Sequence, residues 1–388
     1  MHHPEWRLAG PNRFVRALAA ELEGGRSTIV LLPVAGFPDG LQASVREALP
    51  EIEVNRLRLK EMLEERGRIV DVLHRRLALN PLPPGDQVDI SSFACHPELR
   101  RRLIWVDGRS ASVTQVDSWV DFLEQYTAVA NELPIHGRTV FATLCNGRHA
   151  HRIPESIMLL DKRWWWGVVT PLDTEVFVAE LAGGRRWEPA FVEAATEVAG
   201  FDLSLAEMLV QEWDGALASL RPLLREHAGD SESGDWRWSP RPSPRAQPPT
   251  DSIAAWSAGI VNAWGDRDPR VHVCHAAAES PNALQHLIWL GQVRSLMPRI
   301  EIERQALAEW VYERRNLLPR GWRSKDVRSL EVVDLATIFQ FPAFRKHQSR
   351  AQLARWLHRT RNAIAHLEIL DVSELEQARQ MFRQGVAP

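Results

Sequence analysis

The first 170 residues alternate short, continuous apolar runs with stretches of helical periodicity. The run STIVLLPV at 27–34, bounded by Gly25 and Gly36, reads as a buried strand, and LIWVDG at 103–108 reads as another. Residues 54–59, 138–144 and 164–169, the last preceded by 157–160, are further strand patterns, and 13–22, 39–49, 61–79 and 115–131 read as helices. Strands alternating with helices over this length predict a parallel α/β domain with crossover helices at residues 1–171.

From about residue 172 the pattern changes to helices alone. Residues 172–181, 188–199 and 205–227 follow helical spacing, the last opening on Ser204-x-x-Glu207, which has the spacing of a capping box. They define a helical extension at 172–228. The segment 229–250 (GDSESGDWRWSPRPSPRAQPPT) is too rich in Pro, Ser, Gly and Arg to form a core and reads as a linker. Beyond it, 253–264, 283–296 (opened by Ser280-Pro281), 301–316 and the block 330–382 read as helices, so residues 251–388 form an all-α domain.

The most chemically informative helix lies near the C-terminus. Leu353, Leu357, Thr360, Ile364 and Leu367 recur at alternating intervals of four and three and make one seam. Asn362 and His366 fall on the opposite side one turn apart, Arg361 flanks the seam, and Ala363 and Ala365 leave room for close approach. A last helix opens on the capping-box spacing Ser373-x-x-Glu376.

Arg361-Asn362-Ala363-Ile364-Ala365-His366 resembles the R-N-x-x-x-H signature of HEPN-type helical domains, over roughly the last 60 to 130 residues. The resemblance implies a four-helix-bundle-like domain that dimerises across the motif-bearing helices. In active members the paired motifs form a metal-independent endoribonuclease site. The residue types suit that chemistry: His366 moves a proton near neutral pH, Arg361 clamps phosphate and stabilises growing charge, and Asn362 orients either partner. RNA is then the expected substrate, and no cofactor or metal is called for.

The N-terminal half resembles a degenerate P-loop NTPase of the AAA or STAND type. LLPVAGFPDG at 31–40 occupies the Walker A place, IWVD ending at Asp107 resembles Walker B, and 139–146 ends where a sensor polar residue would stand. A functioning phosphate loop needs Gly-Lys-Ser/Thr. The only lysines are Lys60, Lys162, Lys325 and Lys346, and none follows a glycine. ATP hydrolysis is therefore not expected, and Asp107 is a vestigial cofactor-binding candidate that serves equally well as a turn cap.

Composition sharpens this picture. With 47 Lys+Arg against 50 Asp+Glu the net charge is −3, which excludes a globally basic nucleic-acid coat. Of those cations 43 are arginine, a skew expected of a GC-rich genome, and Arg345, Lys346, His347, Arg350, Arg355, Arg359 and Arg361 read as a local positive patch or as ordinary helix exterior. Cys95, Cys145 and Cys274 show no Cys-x-x-Cys spacing, no run approaches the ~20 apolar residues of a membrane span, and the start lacks a signal pattern, so a cytoplasmic protein is expected.

Three minor features complete the inventory. His149-x-His151 beside Cys145 would offer two imidazoles on one strand face, without further ligands. The triplet Trp164-Trp165-Trp166 reads as core, with any exposed indole marking a protein interface or a base-stacking site. The linker run around Trp236 and Trp238 reads as a solvated tether. Together these features point to a component of a prokaryotic conflict or antiphage system, a HEPN-like RNA endonuclease coupled to a non-hydrolysing NTPase-like sensing or assembly domain, dimeric and bound to protein partners. The alternative is a non-catalytic scaffold that assembles with separately encoded proteins.

Overall fold

The computed structural model describes residues 4–81, 88–183, 189–228, 246–264, 269–280, 282–326 and 329–384. The chain runs α1 (Ala9–Glu23), β1 (Ser27–Leu32), α2 (Leu41–Ala48), β2 (Glu53–Arg58), α3 (Leu59–Leu63), α4 (Ile69–Arg76), α5 (Ile90–Ala94), β3 (Arg102–Gly108), α6 (Val113–Ala130), β4 (Val140–Asn146), β5 (Ser156–Ile157) and β6 (Leu160–Trp164). It continues as α7 (Pro171–Leu181), α8 (Pro189–Ala199), α9 (Leu203–Glu212), α10 (Leu217–Ala228), α11 (Ile253–Ser257), β7 (Val261–Ala263), β8 (Pro269–Val271) and α12 (Val273–Glu279). The final elements are α13 (Ala283–Tyr312), α14 (Arg320–Arg323), α15 (Val332–Ile338), α16 (Pro342–Arg345), α17 (Gln348–Ala365) and α18 (Val372–Gln384). Among the described residues no helix is long and apolar enough to cross a membrane.

The sheet has the order β2-β3-β4-β1-β6-β5, with five parallel strands and the short β5 antiparallel to β6. Strands β1 and β4 are buried along their whole length, as a parallel sheet covered on both faces requires; β1 was legible as a continuous apolar run and β4 as the strand pattern at 138–144. The connection after β1 crosses β4 and β3 to reach the edge strand β2, whereas the connection after β4 passes β1 to the opposite edge, where β5 turns back antiparallel into β6. Neighbouring strands thus send their chains in opposite directions, which opens a crevice at their carboxyl ends.

Several local expectations change. The predicted helix at 61–79 is split into α3 and α4 around Gly67, whose φ of +126° no side-chain-bearing residue readily adopts. Strand β6 stops at Trp164, and the next two tryptophans turn into the core. The Trp165 ring meets Trp6, Phe14 and Phe37 at centroid distances of 5.6, 5.1 and 4.9 Å. All three indoles of the triplet are buried, so it is core and offers no exposed ring.

The chain divides into two compact units, residues 1–173, 201–204 and 234–272 in the first, and 174–200, 205–233 and 273–388 in the second. The segment that follows the expected linker therefore returns to the sheet unit, a partition that the sequence boundaries at 171, 228 and 250 do not follow. Residues 253–264 are not one helix but α11 and β7, with Gly259 at φ +80° between them, and β7 pairs with β8 as a hairpin. A short apolar run fits helix and strand alike, and burial decides: Trp256 is fully buried, and its Nε1 donates to the Trp165 carbonyl at 3.0 Å. Most of the linker, 229–245, lies outside the described residues, as does Pro281.

In the second unit α13 is a single 30-residue helix that runs through Pro298 and joins the two helices expected at 283–296 and 301–316. Helix α8 packs along it, with Gly291 of α13 against the backbone of Ala194. A core built from α13, α15, α16, α17 and α18 buries Leu307, Leu335, Ile338, Phe344 and Leu357. The stretch 205–227 is two helices, broken where Gly215 takes φ +91°. Neither expected capping box has the expected members. Asp202 accepts the Ser204 N–H at 2.9 Å, and Asp371 and Glu374 exchange bonds with each other's N–H at 3.0 and 2.8 Å.

Candidate functional site

The motif helix α17 is built as its spacing predicts over most of its length. Leu353, Leu357, Thr360 and Ile364 are buried, whereas Asn362 and His366 are exposed on the opposite side. Leu367, the fifth member of the expected seam, is also exposed, because the helix ends at Ala365 and His366 is its C-cap. The Glu368 N–H reaches the Ala363 carbonyl at 2.9 Å and the Leu367 N–H reaches Ile364 at 3.2 Å, a Schellman closure that puts Leu367 at φ +60°. A left-handed leucine costs about 1–2 kcal/mol, so the turn beside His366 has to be held by its surroundings.

Helix α13 does the holding. Trp289 Nε1 donates to the Ile364 carbonyl at 2.8 Å, Gln285 Nε2 to Leu367 at 3.2 Å, and the buried Gln292 both donates to and accepts from the Leu370 backbone, at 2.9 and 2.8 Å. His286 stacks on Trp289 at 5.4 Å and is exposed near the end of α17. These α13 residues were not found from sequence, since a glutamine or tryptophan some 75 positions away carries no local signal.

Around the motif, side chains are paired within the chain. Arg361 Nη1 lies 2.9 Å from Glu331 Oε2, and Asn362 Nδ2 lies 3.1 Å from His358 Nε2. His358, Asn362 and His366 thus follow each other at successive turns of one face, with the first two in contact; His358 is the residue that an i−4 search from Asn362 would have found. The arginine patch is partly committed elsewhere: Arg350 lies over the Trp310 ring at 4.7 Å, and Arg359 donates to Gln377 at 2.8 Å. Arg345 Nε donates to the Gln340 carbonyl and Arg355 Nε to the Ala351 carbonyl, and both arginines line a separate cavity of about 420 Å³ with Gln340, Gln348 and Gln352.

In the first unit the three segments compared with nucleotide-binding elements converge. The loop after β1, Asp107 at the end of β3 and Asn146 at the end of β4 surround a cleft of about 420 Å³. The loop itself is pinned: the Val34 N–H donates to Ser257 at 2.8 Å, the Asp39 carbonyl accepts Trp6 Nε1 at 2.6 Å, and the Phe37 ring packs on Trp6 and Trp165. Asp107 is held by Arg109, with Nε to Oδ1 at 3.0 Å, Nη2 to Oδ2 at 2.8 Å and the Arg109 N–H to Oδ1 at 3.1 Å. Burial acts to raise the Asp107 carboxyl, but the Arg109 bonds and charge outweigh it and hold its pKa below the usual carboxylate range.

A carboxylate with a depressed folded-state pKa contributes stability above the unfolded value of about 4, and that contribution disappears as pH falls through the folded value. Asp107→Asn is therefore less stable than the wild type at pH 7, and the gap narrows on acidification to pH ~3. Urea unfolding at the two pH values measures it; a gap that stays constant would assign the difference to something other than the Asp107 charge.

The Cys145, His149 and His151 group does not assemble as a metal site. His149 and His151 lie in a 3₁₀ turn rather than on a strand, and their Nε2 atoms meet the Arg148 and Arg152 side chains at 3.0 and 2.9 Å. Burial pushes the Cys145 thiol up to about 12, and burial, followed by the Arg148 charge, lowers His149. Guanidinium neighbours and a protonated buried thiol are the reverse of what a cation needs. No protein-family model matches the chain, and comparison with curated proteins finds no match either.

Proposed function

We propose that the C-terminal helices form a HEPN-like effector that cleaves RNA without a metal, and that the α/β unit is a nucleotide-binding-like scaffold without ATP turnover that serves sensing or assembly in a prokaryotic defence context. The observation that carries the first half is the exposure of Asn362 and His366 one turn apart at an α17 terminus clamped by α13, with Arg361 beside them. His366 is the proton-transfer group, Arg361 the phosphate clamp and Asn362 the orienting residue. The Arg361–Glu331 pair is exposed, and such pairs contribute only about 0.2–1 kcal/mol, so a phosphate can take the guanidinium from Glu331. A second copy facing α17 would complete the site, as the resemblance implies.

The scaffold half is supported by the convergence of the β1 loop, Asp107 and Asn146 on one cleft, and by a loop whose contacts are aromatic packing and whose Val34 N–H is already spent on Ser257. A second reading, a purely assembling subunit, is favoured by the intrachain pairing of Arg361 and Asn362. RNA incubation with the purified full chain in EDTA separates them. The effector reading predicts cleavage products that persist in EDTA; intact RNA across a broad substrate set would leave the assembling subunit as the function.

A further inference from the structure

The cavity of about 420 Å³ shared by Arg345 and Arg355 lies along the N-terminal half of α17, and the chemistry assigned to the motif does not use it. Its size is within the range of ligand sites. Gln340, Gln348, Gln352 and Phe339 line it with the two arginines, and no carboxylate is among its lining residues. Both arginines bond backbone carbonyls through Nε, contacts that leave the full positive charge in place.

The cavity is continuous with the motif along one face of the helix. At 100° per residue Gln348, Gln352, Arg355, Arg359, Asn362 and His366 fall within about 40° of a single line, and every one of them is exposed. Arg359 bonds the neutral Gln377 amide at 2.8 Å. Residues 335–367 hold no Asp or Glu, in a chain where 50 of 388 residues are acidic, and they carry Arg345, Lys346, Arg350, Arg355, Arg359 and Arg361. The local field is felt by His347, whose pKa is lowered by burial and then by the charges of Lys346, Arg350 and Arg314. A second copy can meet the motif end of α17, but laid along the whole face it would set arginine against arginine. A polyanion is what this face fits.

We propose that the cavity is a second RNA subsite, in which Arg345 and Arg355 hold a phosphate and the glutamine amides meet the edge of one unpaired base, while the strand continues over Arg359 toward His366. The inference rests on the reading of α17 as an RNA-cleaving helix and adds the form of its substrate, a single strand held at two places. Guanidinium forks onto phosphate, and a glutamine amide both donates and accepts, as a base edge does. Base edges are open in single strands, whereas an A-form duplex keeps its major-groove edges out of reach. From Arg355 to His366 the helix rises about 16 Å, so the subsite is separate from the reacting phosphate.

Fluorescence anisotropy of a labelled single-stranded RNA of mixed sequence tests it, with the full chain carrying His366→Ala so that the probe stays intact, in EDTA and over a range of salt. The expected result is saturable binding that weakens with salt. Adding Arg345→Ala and Arg355→Ala together weakens it about tenfold or more and makes the slope of log affinity against log salt shallower by about 1 to 1.5. Arg355→Ala alone, whose backbone bond lies within its own helix, shows a smaller loss in the same direction at an unchanged melting temperature. Arg13→Ala with Arg16→Ala, two exposed positions of α1, removes equal charge and leaves binding within about twofold. The duplex of the same sequence and polyglutamate of equal charge each bind at least about tenfold more weakly. No binding of the single strand, undiminished binding by the Arg345/Arg355 variant, an equal loss in the α1 control, or a duplex or polyglutamate bound as tightly overturns the proposal. RNA that is bound through these arginines yet never cut by the wild type upholds the subsite and removes the effector reading. Cleavage with KM unchanged by Arg345→Ala and Arg355→Ala upholds the effector reading and overturns the subsite.

Discussion

If the chain cleaves RNA as proposed, His366→Ala is expected to lower the EDTA-resistant cleavage by a factor on the order of 10² to 10⁴, the usual contribution of one positioned general acid or base. The residue is exposed and is the C-cap of α17, while the turn around it is held by Gln285, Trp289 and Gln292 through the backbone carbonyls of Leu367, Ile364 and Leu370. Stability should therefore change by less than about 0.5 kcal/mol, and RNA affinity by little, so that the loss falls on turnover. Rates measured on gel-resolved products from equal amounts of folded wild type and variant decide it. Cleavage unchanged in His366→Ala would remove His366 from the chemistry and assign the activity elsewhere in the chain.

Gly291→Ala destabilises the second unit by about 2 kcal/mol or more. Intrinsic helix propensity alone argues the opposite sign, since replacing glycine by alanine within a helix such as α13 gains about 0.5–1 kcal/mol. Packing decides the outcome, because a Cβ on Gly291 would overlap the backbone nitrogen and Cα of Ala194 in α8, atoms that cannot swing aside as a flexible side chain can. Overpacking of this kind costs about 1–3 kcal/mol and occasionally more. Gly321 of α14 is the control, for a Cβ there meets open space, and Gly321→Ala should be neutral or slightly stabilising. Urea unfolding of the helical signal compares the two. A Gly291→Ala protein at least as stable as the wild type would show that α8 and α13 do not pack as closely as described.

Much of the sheet was legible because a strand buried on both faces must be apolar throughout, and 27–34 and 103–108 have that composition. The seam of α17 was legible for a related reason, since burial of one helical face leaves a period of 3.6 that four of its five residues obey. Boundaries were less legible. Leu367 fits the seam but lies past a helix end that the Schellman turn and the α13 clamp impose. Trp165 and Trp166 look like strand continuation, yet large buried rings go where the core has room.

The candidate sites divide in the same way. Arg361, Asn362 and His366 were identified from spacing because they occupy successive positions on one helix, where sequence separation and spatial separation are nearly the same quantity. His358 belongs to that set and was readable. Glu331, which holds Arg361, and Gln292, which holds the following turn, were not, because a contact between elements has no periodicity in the chain. Asp107 was identified at the end of its strand, but its bidentate clasp by Arg109 follows from how the Gly108 turn brings the guanidinium back over the carboxylate.

By itself, then, the sequence determines the parallel strands of the sheet and the class of each half, the missing phosphate-loop lysine, and the motif on one helical face. These are properties of neighbouring residues along the chain. The tertiary structure alone decides that α11, β7 and β8 join the sheet unit while α8 and α10 join the second unit, that Arg109 pairs with Asp107 and Arg361 with Glu331, and what holds the motif turn. Those outcomes depend on which distant surfaces bury each other, a competition among contacts that no local pattern records.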